Sequence, residues 1–349
     1  MSAALRVGLV GYGIAGAVFH APLIASNPGL ELSTVVTRNP ERRAEIESRH
    51  PGTAVVDDVP AMLARGDLDL VVVASPNRLH VEHTTEALRA GLPVVVDKPF
   101  APTAAAAREL VAEARRRELP LTVFQNRRWD NDFRTLAGLI DAGELGRVHR
   151  FESRFERWVP RPKAGWRESG GPEEAGGVLY DLGSHLIDQA LALFGPVASV
   201  YAEVDARRPG SEVDDDSFVA LTHVGGVRSH LWVGKFTAQH GPRLRVLGDR
   251  AGYTKFGLDP QEAALRAGEL PGADWGVEPE HLHGELGTVE GSAPVRTEPG
   301  AYPEFYDLLV TALRDGAPLP VDPSDAIAGL EIIEAARHSA TKAEVVHLT

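Results

Sequence analysis

Short runs of β-branched and apolar residues alternate with longer amphipathic stretches over the first third of the chain. The short runs have the length and composition of buried strands, and the stretches between them repeat apolar residues at helical spacing. The predicted strands are 6–10, 32–37, 54–56, 70–74, 94–96 and 121–124, and the predicted helices are 15–26, 40–49, 59–64, 80–90 and 103–118. This alternation predicts parallel β-α-β units, and therefore a doubly wound Rossmann domain over residues 1–124.

The pattern changes after residue 124. A predicted helix over 133–142 is followed by strand candidates that have no helices between them: 148–156, 199–206, 218–222, 227–236, 243–247 and 253–256. Consecutive strands indicate antiparallel pairing. Residues 125–349 are therefore expected to form an α+β domain for substrate binding and oligomerisation, with a large, mostly antiparallel, open-faced sheet. Residues 257–300 are expected to be irregular, and two helices over 303–315 and 324–342 close the chain, the last of which can pack back on the first domain.

The net charge of −13 and the absence of cysteine narrow the function classes. A strongly acidic chain is a poor ligand for nucleic acid or for an anionic membrane. Without cysteine there is no disulfide, no thiolate metal site and no cysteine nucleophile. The chain start shows no secretion leader, and no apolar stretch approaches the ~20 residues of a membrane helix. These features predict a cytoplasmic protein that acts on a small molecule.

A G-x-G-x-x-G sequence follows the first predicted strand and leads into the first predicted helix. In this setting Gly11 permits the tight turn, Gly13 lets the backbone approach a pyrophosphate, and Gly16 lets the helix pack closely on the strand. Ile14 and Ala15 lie between these glycines, where the helix begins and presents N–H groups to an anion. The sequence therefore predicts a dinucleotide site.

The end of the second predicted strand carries Thr37 and Arg38 and no carboxylate. An acidic residue there would bind the ribose 2′-hydroxyl of NAD, whereas a basic residue accommodates the 2′-phosphate of NADP. The sequence thus favours NADP(H) and leaves NAD(H) open, because Arg38 can also stack on adenine or face solvent. Arg42 and Arg43 either assist the phosphate or form an exposed helix face.

Two polar motifs follow later strands of the first domain, where strand ends face the cofactor: Ser75-Pro76-Asn77 with His80, and Asp97-Lys98-Pro99. Lys98 follows a buried strand, where an ammonium group is costly unless it is used. Desolvation and nearby basic charge would lower its pKa and let it exchange a proton with a substrate oxygen. A solvated lysine at a strand end is the plain alternative.

Asp181 and His185 stand four residues apart, so a helix over 182–194 would project them from the same face. His185 has the ordinary pKa of a group that takes a proton from a hydroxyl, and Asp181 can orient the imidazole or bind a neighbouring hydroxyl. Asp188 is either a supporting partner or on the solvent side. The plain alternative is a helix-capping aspartate and a core histidine. His20, His223 and His240 have no spacing that suggests a metal site.

Together with the segment 176–188, the Ser-Pro-Asn and Asp-Lys-Pro motifs resemble the Gfo/Idh/MocA family of NAD(P)-dependent oxidoreductases over essentially the whole chain. That family usually has Glu-Lys-Pro, so Asp97 is a conservative departure. The segments 125–130 and 165–167 are most similar to the subgroup that includes NADP-dependent scyllo-inositol dehydrogenase. The resemblance implies cofactor contacts from Asn126, Trp166 and Arg167, substrate contacts from Arg128 and Trp158, and a homodimer or homotetramer.

These observations predict a dehydrogenase or reductase acting on CH–OH groups. Hydride would pass between nicotinamide and a secondary alcohol or ketone of a cyclitol or sugar, with Lys98 and His185 managing the hydroxyl proton and Asp181 fixing the substrate. The formal acid–base is either His185 or Lys98. One alternative is a reductase of keto-deoxysugars or other carbonyl compounds on the same scaffold. Another is a non-catalytic NAD(P)-sensing protein, although such a protein would be expected to lose these three residues.

Overall fold

The computed structural model describes residues 3–162, 170 and 174–348. The chain divides into two units, of which the first comprises Met1–Asn126, Gln261–Trp275 and Ala301–Ile327, and the second comprises Arg127–Pro260, Gly276–Gly300 and Ala328–Thr349. The expected single boundary after residue 124 is close to the division after Asn126, but two later segments return to the first unit.

The first unit is built on a parallel sheet of six strands in the order β3-β2-β1-β4-β5-β6, which confirms the Rossmann prediction. Its strands are β1 (Leu5–Val10), β2 (Leu30–Val36), β3 (Ala54–Val56), β4 (Leu70–Val73), β5 (Val94–Asp97) and β6 (Leu121–Phe124). Its helices include α1 (Ala21–Ser26), α2 (Pro40–Arg49), α3 (Val59–Leu63), α4 (His80–Arg89) and α5 (Ala104–Arg116). The strands are continuously apolar because both faces of such a sheet are covered.

The helix starts follow from local side-chain chemistry. Asn39 accepts a hydrogen bond from the backbone N–H of Arg42 at the start of α2, and Thr103 accepts one from Ala106 at the start of α5. Asp58 does the same for α3. Each cap satisfies an N–H group that has no partner within its own helix.

The second unit contains a nine-stranded sheet in the order β14-β13-β12-β11-β7-β10-β9-β8-β15. Its strands are β7 (Val148–Glu156), β8 (Val197–Asp205), β9 (Asp216–His223), β10 (Arg228–Gly234), β11 (Leu244–Gly248), β12 (Gly252–Lys255), β13 (Gly284–Thr288), β14 (Gly291–Val295) and β15 (Val346–His347). Only the pairing of β7 with β10 is parallel among the pairs described, so the prediction of a mostly antiparallel sheet is confirmed.

One face of this sheet packs against a helix. The remaining α-helices in the described part of the chain are α6 (Asn131–Asp141), α7 (Ser184–Phe194), α8 (Gln261–Arg266), α9 (Tyr302–Asp315) and α10 (Pro323–Lys342). Helix α7 packs against β7 and β10, where alternate residues such as Phe151, Phe155 and Leu231 are buried. None of the described helices is both long and apolar enough to cross a membrane.

Three segments differ from the sequence-based expectation. Residues 257–300, expected to be irregular, contain α8 and the hairpin of β13 and β14. The hairpin is held by backbone pairing at the sheet edge, where most side chains are exposed, so hydrophobic alternation does not mark it. The segments Ala15–His20 and Leu179–Gly183 are π-helical, and each runs directly into an α-helix.

Helix α9 belongs to the first unit because of its aromatic residues. Tyr302, Phe305 and Tyr306 are fully buried, and the Phe305 ring lies edge-on to Phe124 at the end of β6, with 4.8 Å between the ring centroids. A hydrophobic stripe identifies a helix but does not identify the core it joins. The return of this segment to the first unit was therefore not visible in the sequence.

Candidate active site

The glycine loop after β1 has the geometry of a phosphate cradle. Gly11 has φ +98°, and a Cβ there would lie 2.7 Å from the carbonyl oxygen of Ala74. A Cβ on Gly16 would lie 2.1 Å from the Gly11 carbonyl oxygen, whereas a Cβ on Gly13 would meet no protein atom within 4 Å. Gly11 and Gly16 are thus required by the packing of the protein. Gly13 leaves an open approach to the backbone, which fits the pyrophosphate of a dinucleotide. Ile14, half exposed, and Ala15 border this approach.

Thr37 and Arg38 lie immediately after β2. Thr37 is buried, and its hydroxyl accepts a hydrogen bond from the backbone N–H of Asn39. Arg38 has a side chain that is 75% exposed, with its Nη2 3.7 Å from Asp58 Oδ2 and its Nε donating to the Asp57 carbonyl oxygen. Arg43 instead pairs with the Asp57 carboxylate. Arg38 is therefore the more accessible guanidinium beside this strand end.

His80 joins the two polar loops of the first unit. The ring is fully buried, with Nε2 3.0 Å from the Ser75 carbonyl oxygen and Nδ1 2.8 Å from the Pro99 carbonyl oxygen. Burial lowers the pKa of His80, although the nearby Asp97 charge and these carbonyl groups oppose that effect. A ring used in this way fixes the loops after β4 and β5. Its expected cofactor contact stays a prediction, and its observed contacts are those of a positioning residue.

The loop after β4 also holds Ser75, Pro76 and Asn77. Asn77 is buried at the start of a short 3₁₀ turn, and the Ser75 hydroxyl bonds Nδ1 of His83 at 3.0 Å. Their cofactor contacts remain predictions.

Asp97 is the last residue of β5, and the half-buried Lys98 follows it. The Asp97 side chain is 15% exposed, and its Oδ1 lies 3.5 Å from Nε2 of the buried His20. Burial acts to raise the pKa of Asp97, but His20 and the positive charge of Lys98 outweigh it and hold the pKa below its ordinary value. The Asp-Lys-Pro motif therefore presents a lysine beside an ionised carboxylate.

Asp181 and His185 belong to the second unit. Asp181 lies in the π-helical segment and His185 in the first turn of α7. The Asp181 side chain is 27% exposed, His185 is 5% exposed, and Nζ of Lys235 lies 4.0 Å from Asp181 Oδ2. Lys235 follows β10, and the sequence pattern placed it only within a predicted strand. The π-helical segment thus supplies a carboxylate, the first turn of α7 supplies an imidazole, and the residue after β10 supplies an ammonium group next to that carboxylate.

Asp214 fixes the start of that helical segment. Its Oδ2 accepts a hydrogen bond from the backbone N–H of Leu179 at 2.8 Å, and Oδ1 lies 3.4 Å from Nη1 of Arg337. Burial raises the pKa of Asp214, an effect that the Leu179 N–H and Arg337 oppose. Gly177, with φ +89°, has no room for a Cβ, which would lie 2.1 Å from Asp214 Oδ1. Asp214 was missed because it lies in a run of three aspartates, which is typical of a solvated surface.

Comparison with known proteins agrees with this arrangement. Residues 5–125 match the NAD-binding Rossmann fold of an oxidoreductase family, and residues 137–348 match the C-terminal alpha/beta domain of the same family. The chain belongs to the Gfo/Idh/MocA family of oxidoreductases. The resemblance predicted from the sequence is thereby confirmed, and residues 5–125 form an NAD-binding Rossmann domain.

Members of this family resemble the chain over its full length. The oxidoreductase YdgJ of Escherichia coli is 42% identical, over 98% of this chain and 99% of its own. The scyllo-inositol 2-dehydrogenase (NADP(+)) IolW of Bacillus subtilis is 37% identical, over 99% of this chain and 96% of its own. The solved structure of the oxidoreductase yvaA from Bacillus subtilis superimposes with a TM-score of 0.94 at 35% identity, covering 99% of both chains.

The remaining predicted site positions of this Gfo/Idh/MocA oxidoreductase have varied surroundings. Arg128 makes a two-pronged ion pair with Asp188, with Nε–Oδ2 and Nη2–Oδ1 distances of 2.9 and 2.7 Å. Asp188 is buried, so it is not on the solvent side of its helix. The pair joins the short turn of Asn126–Trp129 to α7, a structural use of Arg128 that the sequence did not reveal. Asn126 is buried at the start of that turn.

Trp158 lies just beyond β7 and is half exposed. Its ring stacks on Phe236 with 5.1 Å between the centroids and 17° between the planes. Its substrate contact remains a prediction. Trp166 and Arg167 lie outside the described residues. The described residues contain no cluster of three or more His, Asp or Glu side chains that could hold a metal ion.

Proposed function

We propose that this oxidoreductase transfers a hydride between NADP(H) and a secondary alcohol or ketone of a cyclitol or sugar, as an inositol-dehydrogenase-like enzyme. The observation that carries the proposal is the Asp181–Lys235 contact beside His185. These three groups suit a molecule with several hydroxyl groups. The carboxylate accepts hydrogen bonds from hydroxyls, the ammonium group donates them, and the imidazole exchanges a proton with the reacting hydroxyl.

The glycine loop supports the cofactor part of the proposal. The open face at Gly13 leaves room for a pyrophosphate, and the accessible Arg38 guanidinium suits a 2′-phosphate. The bound nicotinamide supplies the hydride acceptor or donor. The likeness to an NADP-dependent relative favours NADP(H) over NAD(H).

The side chains of the chain account for the polar part of the reaction. In alcohol oxidation, the proton has two balanced routes as the hydride leaves for nicotinamide. Either the Lys98 ammonium donates a hydrogen bond to the reacting oxygen and neutral His185 accepts the hydroxyl proton, or a neutral Lys98 amine accepts that proton itself. Asp181 accepts hydrogen bonds from neighbouring hydroxyls, and Lys235 donates one. The negative charge of Asp97 beside Lys98 favours the ammonium form, which binds a developing alkoxide.

Two other functions make different predictions. A reductase of keto-deoxysugars would use the same lysine and imidazole, but it would prefer substrates that lack one of the hydroxyls addressed by Asp181 and Lys235. An NAD(P)-sensing protein would bind the cofactor without turnover. The polar contact between Asp181 and Lys235, neither of which a sensor requires, favours the enzyme.

The test is turnover with NADP or NAD and a panel of inositols, aldoses and deoxysugars, followed by the absorbance of reduced nicotinamide. We expect NADP-selective turnover of a cyclitol or sugar, lowered about 100-fold or more by Lys98→Ala. Lys342→Ala, at an exposed position in α10, is the matched control and should behave as wild type. Tight NADPH binding with no turnover over the whole panel would support the sensor instead.

A further inference from the structure

A histidine and a tyrosine that the proposed reaction does not use are buried behind the Asp-Lys-Pro motif. His20 and Tyr306 are both fully buried, and the Tyr306 hydroxyl bonds Nδ1 of His20 at 2.6 Å. On the other side of the ring, Nε2 lies 3.5 Å from Asp97 Oδ1. All three residues belong to the first unit. Tyr306, His20 and Asp97 therefore form a continuous chain of polar groups that ends next to Lys98.

The direction of the contact with Asp97 follows from the donor and acceptor inventory. An ionised carboxylate can only accept, so the His20 tautomer that suits Asp97 carries its proton on Nε2, while the Tyr306 hydroxyl donates to Nδ1. At 3.5 Å, Nε2 and Asp97 Oδ1 are in electrostatic contact and do not form a full hydrogen bond. The Phe124 ring, 4.5 Å from the His20 ring between centroids, excludes water from this side. In such surroundings a charge is costly without a partner, and a bond to it is stronger than in water.

We propose that Tyr306 and His20 are positioning residues that keep the Asp97 carboxylate ionised and oriented, and thereby set the charge state of Lys98. The groups that face Asp97 are His20, Lys98, His80 and, behind His20, Tyr306. Burial alone would favour a protonated Asp97, and His20 supplies the donor that opposes this effect. Without His20, only Lys98 and His80 oppose the effect of burial on Asp97, so its ionised form is less stable and supports the ammonium form of Lys98 less.

The inference rests on the proposed function only for the role of Lys98 in catalysis, so its test needs no substrate. Whole protein is labelled with acetic anhydride over a range of pH, and acetylation of Lys98 is measured by peptide mass spectrometry. Lys342 in the same molecule is the internal reference. Asp97→Asn removes the charge outright, and we expect it to shift the Lys98 labelling profile down by about one pH unit, which raises labelling at neutral pH about tenfold.

His20→Ala should reproduce most of that shift, and Tyr306→Phe should give a smaller shift in the same direction. His20→Gln, which keeps an N–H donor, should restore much of the wild-type profile. Tyr302→Phe is the matched control, because Tyr302 is buried one turn earlier in α9 and its ring pairs with Phe19. Tyr302→Phe should leave the profile unchanged.

Two results would overturn the inference. One is an Asp97→Asn profile that coincides with wild type; the other is a shifted Asp97→Asn profile with unshifted His20→Ala and Tyr306→Phe profiles. If His20→Ala does not fold, Tyr306→Phe, which removes one hydroxyl, decides the question. A wild-type protein without turnover would contradict the proposed function and leave the labelling result intact.

Discussion

Nζ of Lys235 lies 4.0 Å from Oδ2 of Asp181, and neither side chain is more than about a quarter exposed. At this distance the carboxylate and the ammonium group can both reach neighbouring hydroxyl groups of one ligand, the first as an acceptor and the second as a donor. Asp181 and Lys235 come from a π-helical segment and a strand end that are far apart in the sequence. The pair therefore has the features of a binding site assembled by the fold of the second unit.

Removing the ammonium group of Lys235 should weaken substrate binding more than cofactor binding. A hydrogen bond to a charged group contributes about 1.5–3 kcal/mol, so Lys235→Ala should raise KM for the preferred polyol roughly 10- to 100-fold. The KM for NADP should change less than about twofold. Lys235→Arg should lose less than Lys235→Ala. Equal losses with every polyol and with the cofactor would indicate a folding defect.

Arg38 should determine the preference between the two nicotinamide cofactors. We expect Arg38→Ala to lower kcat/KM for NADP about 10- to 100-fold by removing a charged contact to phosphate, with little change for NAD. Arg89→Ala, at an exposed position at the end of α4, is the control. Steady-state kinetics with both cofactors measure the effect. An unchanged ratio of the two kcat/KM values would mean that Arg38 faces solvent.

The first unit was largely predictable from the sequence because its elements are marked by local patterns. Buried parallel strands such as β4 and β5 are uninterrupted apolar runs, and residues such as Asn39 and Thr103 cap the next helices. The glycine loop was identified by its position between a strand and a helix. In these places the local sequence preference agrees with the fold, so the elements can be predicted from the sequence alone.

The supporting residues of the site were not predictable. Each of these residues acquires its role from a partner that is distant in the sequence. Lys235 contacts Asp181, Asp214 accepts from Leu179, which is 35 residues away, and His20 bonds Tyr306, which is 286 residues away. Arg128 pairs with Asp188, which the sequence did not indicate, and its expected substrate contact stays a prediction. Nothing in single-residue chemistry distinguishes these uses, because each depends on which elements meet.

Acid should destabilise the folded chain through His80. Its pKa is lowered in the folded state, chiefly by burial, so the unfolded chain binds the proton more readily. The stability from neutral His80 is present above the unfolded pKa of about 6.5 and is lost as pH falls below it, by at most about 1.4 kcal/mol per pH unit. Urea unfolding at several pH values between neutral and about 5 measures this loss.

His80→Asn is the informative variant for that measurement. It should be less stable than wild type at neutral pH, by about 1–3 kcal/mol, because the shorter asparagine side chain cannot span the carbonyl groups of Ser75 and Pro99, to one of which neutral His80 donates. Its stability should then depend less on pH than that of wild type. His347→Asn, at an exposed position, should keep the wild-type slope. A His80→Asn slope equal to that of wild type would exclude His80 as the source.

Substituting Gly177 and Gly210 by alanine distinguishes a steric clash at the site from the strain of a left-handed backbone, which both positions share. Both have a left-handed backbone, with φ +89° and +78°, but a Cβ on Gly177 would lie 2.1 Å from Asp214 Oδ1, whereas a Cβ on Gly210 would meet nothing within 4 Å. Gly210→Ala should therefore cost only the backbone strain, about 1–2 kcal/mol. Gly177→Ala should cost more, because it displaces the carboxylate that holds the Leu179 N–H, and turnover should fall with it. Unfolding curves and kcat are measured for both variants. If the two variants lose the same stability and the same kcat, Asp214 can move without disturbing Asp181 and His185.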